Sequence, residues 1–509
     1  MLMALRSRLK VILVITVLIV VLISFLTLFP EIFWRERVVE VPETYFDFIM
    51  NYAPYVYVIP GSGPDLEWGK SSFAAAFAID FLYQAYYNDQ FEDRKADIYD
   101  KIVSLSDWIL TQQCTDESKK AYGGFKSNEN STYYYSADAC KVIPSLLRAY
   151  KLTGKAEYLN AAKLAGNFLY NMQHLPSQLG IHDKYYGGFA RAVTIDDSWL
   201  REMNVECLYG IIGLQMLSEL DAQNKSKHEN MITDALNFYR SGIENLWLYF
   251  DPPPSGDGNW HRIGLNETEI YDDTVAYALI GLYEYEGWSQ TVEKVYNLIN
   301  TIRASSQYPA YNPAVCWAGY IDVVSRFPAC EYYDAVTAGI LWKIRKNHDK
   351  SSFEYSMKII GKHAEDFMFW GVKFDDYSPV ENKQAMATVC WLAQFFLNYE
   401  DPTTPFTRFL KSYGENITIF PIREASDTIS YGEGVDVKAV VSPTRVDEVL
   451  MEPGYAINDY ITIYLFVPLR HHDKIRRKGV DYEVLSIQEF SFKGDILYRR
   501  AVCRRLLGQ

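Results

Sequence analysis

From about residue 68 to residue 398, apolar-periodic segments, mostly 12–20 residues long, alternate between two kinds. The first kind is rich in small residues and apolar nearly all round: 71–87, 135–150, 202–220, 272–285, 333–344 and 384–397. The second kind carries its charges on one face: 94–113, 156–173, 229–247, 291–302 and 354–370. A helix apolar on every side must be buried, whereas an amphipathic one keeps a wet face. The alternation therefore predicts a mainly α protein, with six inner helices and five or six outer ones paired as hairpins and closed into a toroid. The sixth outer helix is not obvious, and residues 407–413 or 46–53 are its candidates. Beyond Pro402, short β-branched segments at 416–422, 435–441, 460–467, 482–487 and 496–503 predict a small C-terminal all-β domain.

The N-terminus adds a compartment. Residues 11–29 carry no charge and follow Arg6, Arg8 and Lys10, a run matching the ~20 residues a helix needs to cross a bilayer. Its exit, Leu28-Phe29-Pro30-Glu31, lacks the small residues of a cleavage site, which predicts an uncleaved transmembrane signal anchor. The basic cluster places the N-terminus in the cytoplasm and the body outside. The expected units are a cytoplasmic stub and anchor (1–37), a Tyr- and Pro-rich arm (38–67), the toroid (68–401) and the β domain (402–509). Sequons at Asn130, Asn224, Asn266 and Asn416 fit an exported glycoprotein. Seven cysteines do not make a disulfide scaffold, and Cys316 and Cys330 read as either a disulfide or free buried thiols. A net charge of −14 argues against nucleic acid as a partner. The charge is uneven, since residues 470–509 hold ten Lys/Arg against five Asp/Glu. Aromatics at 15%, with 40 Tyr and 11 Trp, suit wet cavities and extracellular surfaces.

Acidic residues sit at or near the starts of four inner helices: Asp138, Glu206, Asp273 and Asp334, separated by 68, 67 and 61 residues. Outer helices are followed by glycine–aromatic loops, Tyr122-Gly-Gly-Phe125, Tyr186-Gly-Gly-Phe189, Gly256-Asp-Gly-Asn-Trp260 and Trp370-Gly-Val-Lys-Phe374. These loops are expected to crowd one mouth of the ring, with their aromatics on the rim. The hairpin repeat, these loops and Tyr271-Asp-Asp-Thr-Val-Ala-Tyr277 resemble the six-hairpin (α/α)6 toroids of glycosidases, polysaccharide lyases and sugar epimerases. The resemblance covers roughly residues 68–400 at superfamily level. It implies a ligand in the central funnel, at the mouth where the inner helices begin. A second likeness, over Asp473 to Leu506, is to small β-barrel head–tail joining proteins of tailed viruses; a β-sandwich is the more ordinary form for the domain.

Glycoside cleavage needs two carboxyls flanking the scissile bond, one protonated and one ionised. The candidates are Asp197, Glu206, Asp272, Asp273 and Asp334, drawn from the runs 196–206 and 269–273 and from the next hairpin. Glu202 and Glu206, at i and i+4, are expected to share a helix face. Asp138, Glu202 and His261, with the rings of Trp199, Trp260, Tyr271, Trp317 and Tyr333, are candidate substrate contacts. The competing reading is structural: Asp is a favoured helix N-cap worth about 1 kcal/mol, and repeated hairpins repeat their caps. His174, His182 and Asp183 match no ligand spacing, so no metal is expected, and no cofactor motif is present. The sequence thus predicts a membrane-anchored, outward-facing carbohydrate-active enzyme, with hydrolysis favoured. Tyr271 and Tyr333 leave a lyase open, and an epimerase shares the fold. The alternatives from other classes are a non-catalytic glycan- or envelope-binding toroid and a viral or mobile-element structural protein acting through the basic tail.

Overall fold

A computed structural model describes residues 40–174, 187–253, 256–262, 268–300, 308–397, 414–425, 428–432, 434–444, 455–465, 467, 469–492 and 495–506. The chain divides into two compact units, Met1–Asn398 and Tyr399–Gln509. Among the described residues no helix is long and apolar enough to cross a membrane. The anchor expected at residues 11–29 lies outside them.

The first unit is a ring of hairpins. Its helices are α1 (Glu43–Tyr52), α2 (Ser72–Tyr86), α3 (Lys95–Thr111), α4 (Ser136–Thr153), α5 (Ala156–Gln173), α6 (Gly210–Leu220), α7 (Lys225–Glu244), α8 (Asp272–Glu286), α9 (Gln290–Asn300), α10 (Ala335–Ile340), α11 (Trp342–His348), α12 (Lys350–Lys362) and α13 (Met386–Leu397). The inner helices α2, α4, α6, α8, α10 and α13 pack successively, and α13 closes back onto α2. Of the two candidates for the sixth outer helix, residues 46–53 correspond to α1, which packs on α13. Tyr45 is fully buried there, beside Phe396 with ring centroids 5.8 Å apart, and its hydroxyl donates to the Ala364 carbonyl at 2.8 Å. The other candidate, 407–413, lies outside the described residues.

Small residues let the inner helices approach. A Cβ on Gly281 of α8 would lie 2.3 Å from the Leu208 carbonyl oxygen, and one on Gly339 of α10 would lie 2.6 Å from the Trp391 backbone. Such contacts are with backbone, which cannot swing away, so side chains are excluded at these crossings.

The glycine–aromatic loops do something other than line a rim. Gly123 has φ +91° and packs on the Leu164 carbonyl of α5, while Gly187 has φ +115° and packs on the Asp234 carbonyl of α7. Gln113 and Gln173 repeat one clasp, each amide donating to the loop glycine's carbonyl and to the next outer helix, Ala161 or Met231, at 2.9–3.0 Å. Phe125 and Phe189 are fully buried as a result. Among the described aromatics of these four loops, only Trp370 of the fourth lines the mouth.

Short strands lead into the inner helices. They are β1 (Tyr57–Ile59), β2 (Gly63–Pro64), β3 (Tyr133–Tyr135), β4 (Ala190–Thr194), β5 (Trp199–Asn204), β6 (Tyr249–Phe250), β7 (Trp260–His261), β8 (Glu269–Tyr271), β9 (Trp317–Ala318), β10 (Tyr320–Asp322), β11 (Phe327–Pro328), β12 (Tyr332–Asp334), β13 (Val372–Lys373) and β14 (Gln384–Ala385). They form antiparallel sheets ordered β3-β4-β5-β6-β7, β11-β10-β8, β13-β12-β9 and β14-β1-β2. The expectation of one helix over 202–220 is corrected here. Residues 199–204 are strand, residues 205–209 a 3-10 turn, and helix begins at Gly210. Glu202 and Glu206 therefore do not share a helix face. The segment 333–344 likewise begins as strand and breaks at Leu341 into α10 and α11.

The second unit comprises β15 (Glu415–Phe420), β16 (Ile422–Ala425), β17 (Thr428–Tyr431), β18 (Val435–Pro443), β19 (Tyr460–Leu465), β20 (Lys474–Arg477), β21 (Val480–Phe492) and β22 (Asp495–Arg505). Six strands close as β15-β18-β19-β22-β21-β20, with β16–β17 as a separate hairpin. The form is thus a closed barrel rather than a sandwich. Alternate residues such as Ile417, Ile463, Val484, Ala501 and Cys503 fill its core, as the period-2 pattern requires. The basic excess is largely paired: Arg476 holds Asp481 through two nitrogens at 2.7 and 2.9 Å, Arg477 pairs with Glu415, and Arg504 with Glu483, both at 2.6 Å.

The Gly281 crossing gives a test. Gly281→Ala should destabilise the protein by about 1–3 kcal/mol or more, because added volume at a backbone contact forces the helices apart. Denaturant unfolding followed by circular dichroism reads this, and an unchanged midpoint would show that the crossing has slack.

Candidate functional site

A cavity opens where the strands hand over to the inner helices. Its volume is about 380 Å³. Four carboxyl residues, Asp138, Glu206, Asp273 and Asp334, line it together with Lys141 and Arg191. Each comes from the first turn of, or the approach to, a different inner helix: α4, α6, α8 and α10. The near-constant spacing in sequence thus becomes convergence in space.

Local folding explains how each group is presented. Asn204 ends β5 and accepts from the Glu206 backbone N–H at 2.9 Å, starting the 3-10 turn that aims Glu206 inward. Asp334 ends β12 and caps α10 by accepting from Val336 N–H at 3.0 Å. Asp273 Oδ1 accepts from the Thr274 N–H at 2.6 Å. Capping and cavity lining therefore coincide in Asp334, and the two readings of that residue do not exclude each other.

Lys141 lies one turn beyond Asp138 on α4. Its ammonium pairs with Glu206 Oε1 and sits 4.6 Å from the centroid of the Tyr277 ring, which stacks on Phe77 at 5.8 Å. Burial opposes its charge, yet Glu206 and then Asp138 outweigh that and hold the ammonium above its usual range. Breaking the pair from either side would leave a nearly buried charge without its partner.

Burial dominates the carboxyls. It pushes Asp138 up to about 6, against the pull of Lys141. It pushes Asp273 up to about 6 as well, with the Glu206 charge adding to the rise. Asp334 is driven well above the ordinary carboxylate range by burial and then by Asp273. Phenols follow the same rule: burial raises Tyr249 to about 12 and Tyr277 well above its usual value.

The other residues singled out from the sequence lie elsewhere. Asp197 sits in the β4–β5 turn with φ +61°, accepts from Lys120 N–H at 3.1 Å and pairs with Lys119 at 3.3 Å. Trp199 and Glu202 lie on β5 outside the cavity lining, Trp199 with the Lys120 ammonium 5.7 Å from its ring. Asp272 is fully buried behind the wall, where Thr337 donates to it at 3.0 Å; burial, Asp334 and Asp273 raise its carboxyl well above the usual range. Trp260 packs among Phe238, Tyr239 and Phe250, and His261 meets Asp257 at 3.0 Å. Trp317 and Tyr333 are core residues, fully buried; the Tyr333 hydroxyl accepts from Asn312 N–H and donates to the Ala310 carbonyl. Tyr271 is exposed on β8, near the mouth but not in the lining. Cys316 and Cys330 are free thiols. His182 and Asp183 fall outside the described residues; among those described, no cluster of His, Cys, Asp and Glu could hold a metal ion.

Lys141, Arg191, Asn204, Tyr249 and Tyr277 line the cavity without having been among the residues expected there. One signal was available: Lys141 is a lysine inside a segment otherwise apolar nearly all round, where a charge needs a partner. Arg191 and Tyr249 arrive on strands too short to show a period, so they had none.

No protein-family model matches the chain, and no curated protein does. Solved structures do match. A D-mannose isomerase superposes with a TM-score of 0.51 at 10% identity, covering 70% of this chain and 96% of that one. The cellobiose 2-epimerase from Spirochaeta thermophila DSM 6192 gives 0.51 at 14% identity, covering 70% and 94%. The chain shares the six-hairpin toroid fold of these two structures. An unsaturated glucuronyl hydrolase specific for heparin also matches, at TM-score 0.46 and 13% identity over 70% and 93%. At these identities the likeness extends to the six-hairpin toroid and no further.

The raised carboxyls carry a stability signature. A folded-state pKa of about 6 for Asp138 and Asp273, above the ordinary 3.8, means the folded protein binds their protons more tightly than the unfolded chain. Their contribution is present at low pH and is lost as pH rises from about 4 to about 6. Asp273→Asn should therefore raise the melting temperature at pH 7 and change it less at pH 4. Thermal melts at both values check this; an equal drop at both would contradict a buried, proton-retaining Asp273.

Proposed function

We propose that the protein is a glycoside hydrolase whose chemistry is carried by Asp273 as general acid and Glu206 as its ionised partner. The observation that supports this most strongly is one cavity whose walls hold Asp273, pushed up to about 6, and a second carboxylate, Glu206, whose charge helps raise it. A general acid works best with a pKa near the working pH, and two carboxyls in different environments divide the acid and base roles. In the proposed reaction Asp273 gives its proton to the glycosidic oxygen as the C–O bond breaks. Glu206 faces the positive charge that develops at the anomeric carbon and takes a proton from the water whose hydroxyl ends there, while solvent returns a proton to Asp273. Lys141 fixes the Glu206 carboxylate, and Arg191, Asn204 and Tyr249 offer hydrogen bonds to sugar hydroxyls. Phe73, Phe77 and Tyr277 supply the apolar surface that sugar C–H faces prefer.

A second reading is sugar isomerisation or epimerisation. Two carboxyls near 6, Asp138 and Asp273, also suit moving a proton on and off a carbon beside a carbonyl. Lyase chemistry with a tyrosine base is less favoured, since the four phenols of the cavity lining, Tyr57, Tyr135, Tyr249 and Tyr277, all hold their protons more tightly than usual. The outward-facing, membrane-anchored placement is part of the proposal and rests on the uncharged run at 11–29.

The test is a polysaccharide and oligosaccharide panel read for new reducing ends, for unsaturated ends by ultraviolet absorbance, and for sugar conversion. New reducing ends without absorbance are expected, with activity falling above pH ~6 and kcat reduced by about 10²–10⁴ in Asp273→Asn. Sugar conversion without new ends would move the assignment to an isomerase, and a bound glycan left intact would move it to a binding protein.

A further inference from the structure

The toroid unit shows solvent an unusual set of apolar side chains at its mouth. Trp68, Tyr271, Val324, Phe327, Trp370 and Val380 are all more than a third exposed. All lie on loops and strands leading into inner helices, the end at which the cavity opens. Apolar groups gathered on one face of a soluble unit mark a surface that something covers.

Four of the rings at this mouth form a continuous row. Trp370 lines the cavity, and its ring lies 5.1 Å from that of Tyr332. Tyr332 is followed by Tyr320 at 6.4 Å, and Tyr320 by Tyr271 at 6.0 Å, its register partner across β8 and β10. The row therefore starts inside the cavity and ends at a ring 43% exposed. Its centre is built deliberately close to backbone. A Cβ on Gly319 would lie 2.5 Å from the Tyr332 ring, and one on Gly371 would lie 2.9 Å from it. Two glycines thus make room for one half-buried ring. Among the described residues the hydroxyls of Tyr271, Tyr320 and Tyr332 have no side-chain or backbone partner within hydrogen-bond distance. An aromatic body with an uncommitted hydroxyl suits a ligand that offers both C–H faces and hydroxyls.

We infer that the row from Trp370 through Tyr332 and Tyr320 to Tyr271 is an extended set of sugar subsites, so that the protein acts on glycan chains several residues long. The inference rests on the proposed carbohydrate function and adds to it the size of the substrate. Its occupant is the continuation of the chain held in the cavity, because Trp370 belongs to both. The successive rings turn from one another by 42°, 84° and 85°, so they meet successive units alternately with a ring face and with a ring edge and its hydroxyl.

The experiment compares the full-length protein with a Tyr271→Ala/Tyr320→Ala double variant, whose fold is checked by its melting curve. Binding of cello-, manno- and heparin-derived oligosaccharides, from disaccharide to octasaccharide, is read by tryptophan fluorescence. For the ladder that binds, wild-type affinity should rise with length beyond the disaccharide, and the double variant should lose at least tenfold of that gain. Affinity independent of length, a gain the double variant keeps, or no binding to any ladder would overturn the inference. A change in self-association on sedimentation, with the length gain intact, would make the row an interface between copies and overturn it too. Cleavage that disappears in Asp273→Asn while the length gain is absent would leave the hydrolase standing without the subsites; a length gain without cleavage would do the reverse.

Discussion

Everything at the mouth of this toroid depends on how closely its inner helices approach one another. Gly281 against Leu208 and Gly339 against Trp391 bring backbone to backbone, at distances that no Cβ could occupy. That closeness draws the starts of α4, α6, α8 and α10 around a space of about 380 Å³. A wider ring would separate Asp138, Glu206, Asp273 and Asp334 into independent, solvated helix caps. A tighter one would leave no room for a ligand.

Convergence then sets the chemistry. Carboxyls brought together with little water cannot all ionise, and burial is the largest cause of the rise at Asp138, Asp273 and Asp334. Lys141, the one lysine that lines the cavity among the described residues, goes to Glu206 and rests on the Tyr277 face. One carboxylate is thereby paired with a cation, while burial makes its neighbours hold their protons more tightly than free carboxyls do. Such a division costs folding free energy, and sites that bear this cost are concentrated where acid–base work is done.

Much of this was written in the sequence, and what was missing has physical reasons. The inner and outer helices were legible because burial on all sides and burial on one side leave different patterns over 12 or more residues. Glu206, Asp273 and Asp334 were legible through their repeat spacing. The mouth strands were not, since two to six residues cannot establish an alternation, and with them went Arg191 and Tyr249. Glu202 was misplaced for the same reason: a strand and a 3-10 turn stand where helical spacing was assumed. Trp317 and Tyr333 show a different limit. A ring's sequence neighbourhood does not reveal which side of a strand faces the core, and both turned inward. The tyrosine-glycine-glycine-phenylalanine loops were correctly picked out as a repeat, but their function is to clasp outer helices, through Gln113 and Gln173.

The proposed chemistry depends on the cavity raising the titration of Asp138 and Asp273 to about 6. Nuclear magnetic resonance titration of the protein with ¹³C-labelled aspartate carboxyls, with Asp138→Asn and Asp273→Asn used for assignment, measures it directly. The account predicts apparent titrations near 6 for both residues, with the Asp273 value moving down in Glu206→Gln as the neighbouring charge is removed. Titration of both near 4, unmoved by that substitution, would contradict it.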